Sequence, residues 1–429
     1  MNAVLGLTFV GLMVLGMPIA FAMFIAGLVA VWMLPNMPAI VVMQNLFSGL
    51  DSFPLLAIPF FVLASEIMTG GSLTDVMLRF AARLVGGWRG GLGHANVLTL
   101  TAFAGISGSA LAGAAGPGAM AINMMKQGGY RDAYAAALTA STAILGPIIP
   151  PSIIMIVYAM TDSNVTVTGL FLAGVVPGLV LAGSLMITNH IISVKRGYRL
   201  TPDQLDKTPV GKLFWRALPA LMLPALILGG IQFGIFTPTE ASAAAVVYAV
   251  VVGRFVYGTL KMSMLPALLL RTALLTASIL FIVATSAVFA WVLTVGQIPQ
   301  TVAAWIAGMN LSRTELLLAV NVLLLLVGIP IEPLPGVMIM VPILAPLADA
   351  AGLDPIHFAI IVCVNLTLGM VTPPVGGVLF VTSIVSGVKM GPMCREALPF
   401  LFTSILVLLL LTFVPQLSTW LPNLMGYTH

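Results

Sequence analysis

The sequence predicts an all-α polytopic membrane protein built from two inverted-topology repeats. Of its 429 residues, 60% are hydrophobic and only 7% are charged, which is typical of a chain embedded in lipid. A constant shift of 223 residues, called the repeat shift below, brings Gly105 onto Gly328 and Pro150–Pro151 onto Pro373–Pro374 without a gap. At the same repeat shift further glycines coincide, namely Gly113 with Gly336, Gly129 with Gly352 and Gly146 with Gly369.

Each repeat interrupts its apolar segments at two places, which is the third observation behind this fold class. The first repeat is broken at Ser107–Ser109 and Pro150–Pro151, and the second at Pro330–Pro333 and Pro373–Pro374. In hydrocarbon every backbone N–H and C=O needs a partner, so broken helices occur only against protein or a wet cavity. Ordinary glycine and proline kinks are the alternative. Matching breaks in both halves favour a binding site of a transporter.

Apolar runs mark the segments expected to cross the membrane, because a span needs roughly 20 apolar residues. These runs are 3–34, 54–69, 168–192, 218–235, 239–257, 272–296 and 397–414. The run 3–34 has no Lys or Arg before it and no cleavage site, so we expect a membrane helix and not a signal peptide. The short segment 39–50 either crosses or lies at the interface.

Between these runs the sequence predicts interfacial helices, hairpins and broken helices. Arginines among apolar residues make 72–91 an amphipathic helix in the interface plane, and 298–311 holds the matching place. Each half should then contain a hairpin that enters and leaves on one side, followed by a broken helix. The hairpins are 94–126 and 313–348, and the broken helices are 132–148 with 152–161 and 356–371 with 375–387. The charged stretch Lys195–Arg216 joins the repeats as a soluble loop.

Basic residues predict the orientation of the chain. Placing the arginines of 72–91 in the cytoplasm puts 16 of the 17 Lys and Arg inside and leaves only Arg313 outside, as the positive-inside rule requires. Lys126 falls on Asp349 at the repeat shift, and Arg131 falls on Asp354. The same structural place is thus basic in one half and acidic in the other, which predicts that the halves are inverted. The C-terminus then lies outside.

The helix breaks predict neighbouring sites for a cation and an anion. Free carbonyls at Gly146–Ile149 and Gly369–Thr372 suit a small cation. The second half-helices are expected to begin with Pro150–Pro151 and Pro373–Pro374 in their first turn, with Thr372 as an N-cap. Their free N–H groups suit a carboxylate.

The hairpin tips add side chains to the same region. Ser107 and Ser109 offer hydroxyls, unless they are only small residues for close helix approach. Glu332 is an intramembrane carboxylate and therefore a functional candidate, with helix capping as the alternative. We expect at least two sodium sites, formed by Ser107, Ser109, Gly146, Ile149, Gly328, Glu332, Gly369 and Thr372. We expect a carboxylate site formed by Ser107, Ser109, Pro150, Pro151, Ser152, Pro373 and Pro374.

Other polar residues are expected to be structural. Glu66 and Glu240 lie near span ends, with Glu240 in the capping turn Thr237-Pro-Thr-Glu. Cys363 and Cys394 should be free thiols, since they form no disulfide or metal pattern. The histidines have no metal-binding spacing and are expected at the surface or the interface; they are His94, His190, His357 and His429.

The motifs together resemble the large membrane subunit of tripartite ATP-independent periplasmic (TRAP) transporters. They are Ser107-Gly-Ser, Gly146-Pro-Ile-Ile-Pro-Pro-Ser, Phe236-Thr-Pro-Thr-Glu-Ala-Ser-Ala and Thr372-Pro-Pro-Val-Gly. The resemblance implies a sodium-driven importer of organic acid anions, such as sialic acid or C4-dicarboxylates, in the bacterial inner membrane. It also implies a small four-helix membrane subunit and a periplasmic substrate-binding protein as partners.

The resemblance further implies an elevator mechanism. Residues 94–192 and 313–429 would form the transport domain, 1–93 and 218–312 the scaffold with its two arm helices, and 193–217 a cytoplasmic linker. Many members of the family have an acidic residue six positions after the first tip serine, where this sequence has Gly113. The first sodium site would then depend on serine and backbone oxygens.

Three other classes compete with this interpretation. An intramembrane enzyme is disfavoured because the sequence has neither Gly-x-Gly-Asp nor His-Glu-x-x-His. A stand-alone sodium–dicarboxylate symporter of similar fold remains the alternative, to be separated by whether a small membrane protein co-purifies. A passive channel would show uptake without sodium dependence.

Overall fold

The computed structural model is helical throughout its described part, which comprises residues 2–33, 38, 40–69, 73–199, 208–309, 312–374 and 376–427. The first half contains α1 (Asn2–Val14), α2 (Ile19–Trp32), α3 (Ile40–Leu50), α4 (Ala57–Thr69), α5 (Leu73–Val85), α6 (Gly91–Ser107), α7 (Ala110–Ala115), α8 (Pro117–Gln127), α9 (Asp132–Ala143), α10 (Ile153–Thr161) and α11 (Val167–Arg196). The second half contains α12 (Val210–Gln232), α13 (Pro238–Val251), α14 (Leu265–Val295), α15 (Ile298–Gly308), α16 (Arg313–Gly328), α17 (Pro333–Ala350), α18 (Pro355–Gly369), α19 (Gly377–Ser386), α20 (Met390–Phe413) and α21 (Gln416–Leu424). No β-strand occurs among these residues, so the all-α prediction is confirmed.

The multi-pass prediction is confirmed by the length and composition of the described helices. Six are long and apolar enough to cross a membrane, namely α11, α12, α13 with its continuation to Val256, α14 with the turn that precedes it from Met262, α17 and α20. The number is seven if α3 and the segment Phe53–Thr69, which meet at an angle of 62°, form one span. The segment 39–50, of which residue 39 lies outside the described part, is thus the first limb of a bent pair.

The prediction of one membrane helix over 3–34 is wrong. Two shorter helices, α1 and α2, pack against each other across a turn. Gly16 adopts a φ of 81°, which costs glycine little, and Pro18 precedes α2 with its fixed φ. Hydropathy is uniform across this turn, so an apolar run alone does not reveal it.

Helix starts in the two halves recur at the spacing of the sequence repeat. The helices α7, α9 and α11 begin at Ala110, Asp132 and Val167. At the repeat shift these residues fall on Pro333, Pro355 and Met390, which begin α17, α18 and α20. One difference is that the outgoing arm of the first hairpin is broken into α7 and α8 at Gly116–Pro117, whereas the corresponding arm α17 is continuous.

Several predicted boundaries shift. The arm helix α5 ends at Val85, and it buries Leu73 and Met77 while Asp75 and Arg79 form an exposed ion pair of 2.9 Å. The loop Lys195–Arg216 is shorter than expected because α11 continues to Arg196 and α12 begins at Val210. Residues 72, 200–207 and 310–311 of the predicted segments lie outside the described part.

Two of the histidine predictions are wrong. His94 and His357 are buried, with exposures of 2% and 1%, and His357 Nδ1 lies 2.8 Å from the Ser418 hydroxyl. His190 is exposed, and His429 is outside the described residues. Packing against α11 buries the His94 ring, and packing against α21 buries the His357 ring. The sequence does not show such contacts between distant helices.

Candidate functional site

A cavity of about 500 Å³ lies where both hairpin tips meet the helices α4 and α14. Its tip side includes Ser107, Gly108, Ser109, Glu332, Pro333 and Leu334. The facing wall includes Val62, Ser65, Glu66, Leu275, Ser278, Ile279 and Ile282. The helix breaks contribute Pro147, Ile153 and Ile154 from the first half and Met370 from the second. Both tips and both breaks therefore border one cavity.

The first tip is a tight turn between α6 and α7. Gly108 has a φ of 60°, and a Cβ atom placed on it would lie 2.5 Å from the Pro151 carbonyl oxygen. Only glycine fits this position, because both the backbone conformation and the space exclude a side chain. Ser109 is the N-cap of α7 and accepts the Ala112 N–H at 3.4 Å. The tip is thus held against the first break, with its serines at the cavity.

The first break differs from the sequence prediction in where its helices end and begin. The helix α9 ends at Ala143, earlier than the predicted 148. Ser152 is the N-cap of α10, accepting the Met155 N–H at 3.4 Å and donating to the Pro147 carbonyl. Pro150–Pro151 therefore precede α10, and the prediction that they form its first turn is wrong. A serine N-cap satisfies a free N–H, which proline cannot do.

The Cα of Gly146 and the side chain of Ile149, two residues whose carbonyls are predicted cation ligands, pack against other parts of the protein. A Cβ atom on Gly146 would lie 2.7 Å from the Ser109 carbonyl carbon, so Gly146 packs on the back of the tip. The Ile149 side chain packs on Gly178 of α11, where a Cβ atom would lie 2.4 Å from Ile149 Cγ1. Neither residue lines the cavity.

The second tip ends in a carboxylate. Glu332 occupies the N-cap position of α17, yet its side chain makes no capping hydrogen bond. At the equivalent place of the first repeat, Ser109 does cap its helix. Glu332 instead lines the cavity. The alternative of side-chain capping is therefore wrong for this residue.

The second break also reverses one prediction. The Thr372 hydroxyl donates a hydrogen bond to the Leu368 carbonyl at 2.9 Å, so Thr372 bonds back to α18, which ends at Gly369, and is not the N-cap of α19. Threonine hydroxyls commonly bond back to the carbonyl four residues earlier. Gly376 stands at the N-cap of α19. Pro373–Pro374 accordingly lie between the helices and outside the first turn of α19.

Glycines bring the second tip and the second break into backbone contact. A Cβ atom on Gly369 would lie 2.2 Å from the Gly328 carbonyl oxygen. Such a distance is far below van der Waals contact, so neither backbone has room for a side chain there. Gly328 and Gly369 hold the tip and the break together, and they do not line the cavity.

Of the predicted site residues, Ser107, Ser109 and Glu332 line the cavity. The others do not line it, and they are Gly146, Ile149, Pro150, Pro151, Ser152, Gly328, Gly369, Thr372, Pro373 and Pro374. Gly113 is buried away from the cavity, and a Cβ atom there would meet Leu100 and Ala143 at 3.8 and 3.9 Å. The place where the resemblance implies an acidic residue is thus an apolar contact here.

Glu66 lines the cavity, which the sequence does not predict. Its place near a span end predicts a structural role, but it lies on the cavity wall opposite the tips. A carboxylate within the apolar helix α4 is the available signal. Among the described residues, Glu66 and Glu332 are the ionisable groups that line the cavity, and no Lys or Arg does so.

The arrangement offers oxygen ligands and helix ends at one place. Hydroxyls of Ser107 and Ser109 and the carboxylate of Glu332 are hard oxygen donors, which suit small cations. The helices α10 and α17 begin at the cavity with Ile153 and Pro333, and helix N-termini carry partial positive charge. The site can therefore receive a cation and an anion side by side.

Comparison with known proteins identifies the family. The family model described as "Tripartite ATP-independent periplasmic transporter, DctM component" matches residues 6–417. The chain belongs to the DctM family. This DctM-family chain is 38% identical to the sialic acid TRAP transporter large permease SiaM of Vibrio cholerae, covering 97% of each chain. It is 42% identical to the C4-dicarboxylate large permease DctM of Pseudomonas aeruginosa, covering 89% of each.

Membership of the DctM family excludes the enzyme alternative, because the family is a transporter permease. Solved structures of low identity support the fold alone. The YdaH transporter of Alcanivorax borkumensis is similar with a TM-score of 0.64 at 15% identity, covering 96% of this chain and 98% of that one.

The isethionate permease DctMQ of Oleidesulfovibrio alaskensis is 36% identical, and the match covers 94% of this DctM-family chain but only 64% of that protein.

Proposed function

We propose that this DctM-family protein is the membrane-translocating subunit of a sodium-coupled importer of organic acid anions. The observation that carries the proposal is the single cavity bordered by both hairpin tips and both helix breaks. Its oxygen-bearing side chains suit sodium, and the N-termini of α10 and α17 suit a carboxylate. Relatives named for sialic acid and C4-dicarboxylates support this class of substrate.

At least two sodium ions bind in this proposal, one at each tip. Ser107 and Ser109 supply hydroxyls to the first site, where the Ser107 Oγ already lies 3.4 Å from the Ser109 carbonyl oxygen. Glu332 supplies the carboxylate of the second site. Backbone carbonyls at the ends of α9 and α18 complete both sites. Sodium offsets the negative charge of Glu332 and Glu66 and so permits an anionic substrate to enter the same cavity.

Ser109→Ala provides a test of the first sodium site. We expect the sodium concentration for half-maximal uptake to rise about tenfold, because one of a small number of oxygen ligands is lost. Ser163→Ala is the matched control, since Ser163 is exposed and distant from the cavity lining. Uptake measured against sodium concentration in proteoliposomes gives the result. An unchanged sodium dependence in Ser109→Ala would remove this serine from the site.

The two halves act as inverted repeats in an elevator. Support comes from the matching helix starts and from the opposite charges of Lys126 and Asp349. In this proposal the tips and breaks form the moving transport domain, while α4 and α14 belong to the scaffold that faces it. The cavity lining follows α7 as far as Ala115, and the same hairpin arm continues as α8 to Lys126. Because basic residues mark the cytoplasmic side, the proposal assigns this arrangement to an inward-facing state.

Topology is tested by two matched cysteines, Gln127→Cys and Ala350→Cys, in a background without Cys363 and Cys394. Both positions are exposed, and the repeat shift brings one onto the other. An impermeant thiol reagent should label Ala350→Cys from outside intact cells and Gln127→Cys only after permeabilisation. Labelling of both from the same side would contradict the inverted arrangement.

The protein works, in this proposal, in the bacterial inner membrane with its C-terminus in the periplasm. Its partners are a small four-helix membrane subunit and a periplasmic substrate-binding protein. The words "tripartite" and "periplasmic" in the family description support this assignment. So does the extra length of the DctMQ relative, which leaves room for a further membrane segment.

Reconstitution tests the whole function. The purified protein is placed in liposomes with its small subunit, and a sodium gradient and the binding protein loaded with a candidate acid are added. We expect accumulation that requires all three components and stops when sodium is replaced by potassium. Accumulation without the binding protein would instead favour a stand-alone symporter, and uptake without a sodium gradient would favour a channel.

A further inference from the structure

Two pairs of helices border the cavity, run side by side and are joined by a polar contact at their far ends. In the first pair α10 packs against α17, and both begin at the cavity, with Ile153 and Pro333. At the far end Asn164 Nδ2 donates a hydrogen bond to Asp349 Oδ2 at 2.9 Å. The pair contains one helix from each sequence repeat.

The second pair has the same design with exchanged partners. The hairpin arm α7–α8 begins at the tip with Ser109 and ends near Lys126, and it packs against α19. Lys126 Nζ donates to the carbonyl oxygen of Ser386, the last residue of α19, at 2.9 Å. At the repeat shift Lys126 falls on Asp349, and Asn164 falls on the residue that follows Ser386. The two far-end contacts, Asn164–Asp349 and Lys126–Ser386, therefore occupy equivalent places.

The chemistry of each contact suits its position. A helix C-terminus carries partial negative charge, so the Lys126 ammonium is favourable beside the Ser386 carbonyl. Asp349 lies at the C-terminus of its own helix, where an anion is unfavourable. The amide donor of Asn164 offsets this charge. The Lys126 ammonium and the Asp349 carboxylate have opposite charges, yet each takes part in a hydrogen bond that joins the far ends of a helix pair.

Each contact can set the position of a cavity residue at the other end of its helix, because helices are stiff along their axes. The helix α17 has 18 residues and spans about 27 Å, from Glu332 at the cavity to Asp349 at the far end. An axial slip of α17 against α10 at one end moves the Glu332 carboxylate by a similar amount at the other. The arm α7–α8 is broken at Gly116–Pro117, so Lys126 sets the place of Ser109 through the packing of both pieces of the arm against α19.

We propose that the Asn164–Asp349 and Lys126–Ser386 contacts position the two sodium sites. They fix the axial register between the hairpin arm of one repeat and the broken helix of the other, and so set where Glu332 and Ser109 stand in the cavity. This inference rests on the proposed sodium-coupled function. Since both members of each pair lie in the proposed transport domain, the contacts persist through the transport cycle.

A double-mutant cycle on sodium dependence tests the first contact. Asn164→Ala and Asp349→Ala should each raise the sodium concentration for half-maximal uptake about three- to tenfold, with maximal uptake retained at saturating sodium. The double variant should be no worse than either single one, because both remove the same bond. Ser163→Ala, one residue away and exposed, is the matched control and should resemble the unmodified protein. Effects that multiply, or an Asn164→Ala variant that behaves like Ser163→Ala, would overturn the proposal.

A covalent version of the contact provides a second, independent readout. Asn164→Cys with Asp349→Cys, in a background without Cys363 and Cys394, should form a disulfide under mild oxidation and retain sodium-dependent uptake. Loss of uptake on oxidation, reversed by reductant, would show that the two helices must separate and would overturn a fixed register. Failure of the proposed function is distinguishable, because the protein without these substitutions would then show no sodium-dependent uptake at all.

Discussion

Glu332→Gln should reduce uptake at physiological sodium by about tenfold to a hundredfold, the loss expected when a charged ligand of a desolvated cation becomes neutral. Glu332 lines the cavity, makes no helix-capping bond and stands at the second tip. Glutamine keeps the size of the side chain and one carbonyl oxygen, so the change is mainly one of charge. High sodium should restore part of the rate. Uptake of a labelled acid into proteoliposomes, measured across a range of sodium concentrations, gives the result.

Two further variants show whether the loss of uptake is due to the charge of Glu332 itself or to any loss of negative charge from the protein. Glu332→Asp keeps the carboxylate on a shorter stem and should retain more uptake than Glu332→Gln. Asp51→Asn removes a charge from an exposed residue outside the cavity lining and should leave sodium dependence unchanged. If Glu332→Gln inserts normally in the membrane and keeps its full sodium dependence, Glu332 is not a sodium ligand.

Gly369→Ala should destabilise the protein and abolish most of its uptake. Its Cβ atom would lie 2.2 Å from the Gly328 carbonyl oxygen and 2.3 Å from the carbonyl carbon. Backbone atoms cannot swing aside as a flexible side chain can, so the second tip and break must separate. Overpacking of this kind costs about 1–3 kcal/mol or more. The temperature at which detergent-solubilised protein loses its monodisperse elution peak should fall by several degrees.

The glycines of this region supply a graded control series. In Gly328→Ala the nearest atom would be the Leu366 carbonyl oxygen at 3.2 Å, and in Gly377→Ala no atom lies within 4 Å. Damage should therefore decrease from Gly369 through Gly328 to Gly377, where alanine also favours the first turn of α19. Equal effects at all three positions would mean that backbone contact between the tip and the break is not what stabilises the site.

Residues whose positions follow from local chemistry are placed well by the sequence. Thr237 and Glu240 form the predicted capping box, with the Thr237 side chain accepting the Glu240 N–H. Ser107 and Ser109 line the cavity at the turn that Gly108, with its φ of 60°, makes between α6 and α7. Glu332 does so because a carboxylate within an apolar segment is driven towards polar surroundings. In each case the signal is a polar or flexible residue in an environment that tolerates few of them.

Predictions that depend on the direction of a hydrogen bond fail more often. The sequence predicts that Thr372 caps the following helix, but its hydroxyl bonds back to the Leu368 carbonyl of the preceding one. Ser152, and not the double proline before it, is where α10 starts. A threonine or serine at a break can serve either helix, and the choice depends on which backbone groups the tertiary packing leaves free.

The sequence alone determined the class of this protein, since 60% hydrophobic residues and 7% charged residues are compatible only with a chain whose helices lie in lipid. It also determined the interruptions at the two tips and the two proline pairs, because glycine and proline act on the backbone locally, whereas the turn at Gly16 and the break at Gly116–Pro117 were found only in the structure. The tertiary structure decided which residues meet. Glu66 lies on the cavity wall opposite the tips, Gly369 lies against Gly328, and Asn164 lies within hydrogen-bond distance of Asp349. These pairs are far apart in the chain, so only the packing of helices brings them together.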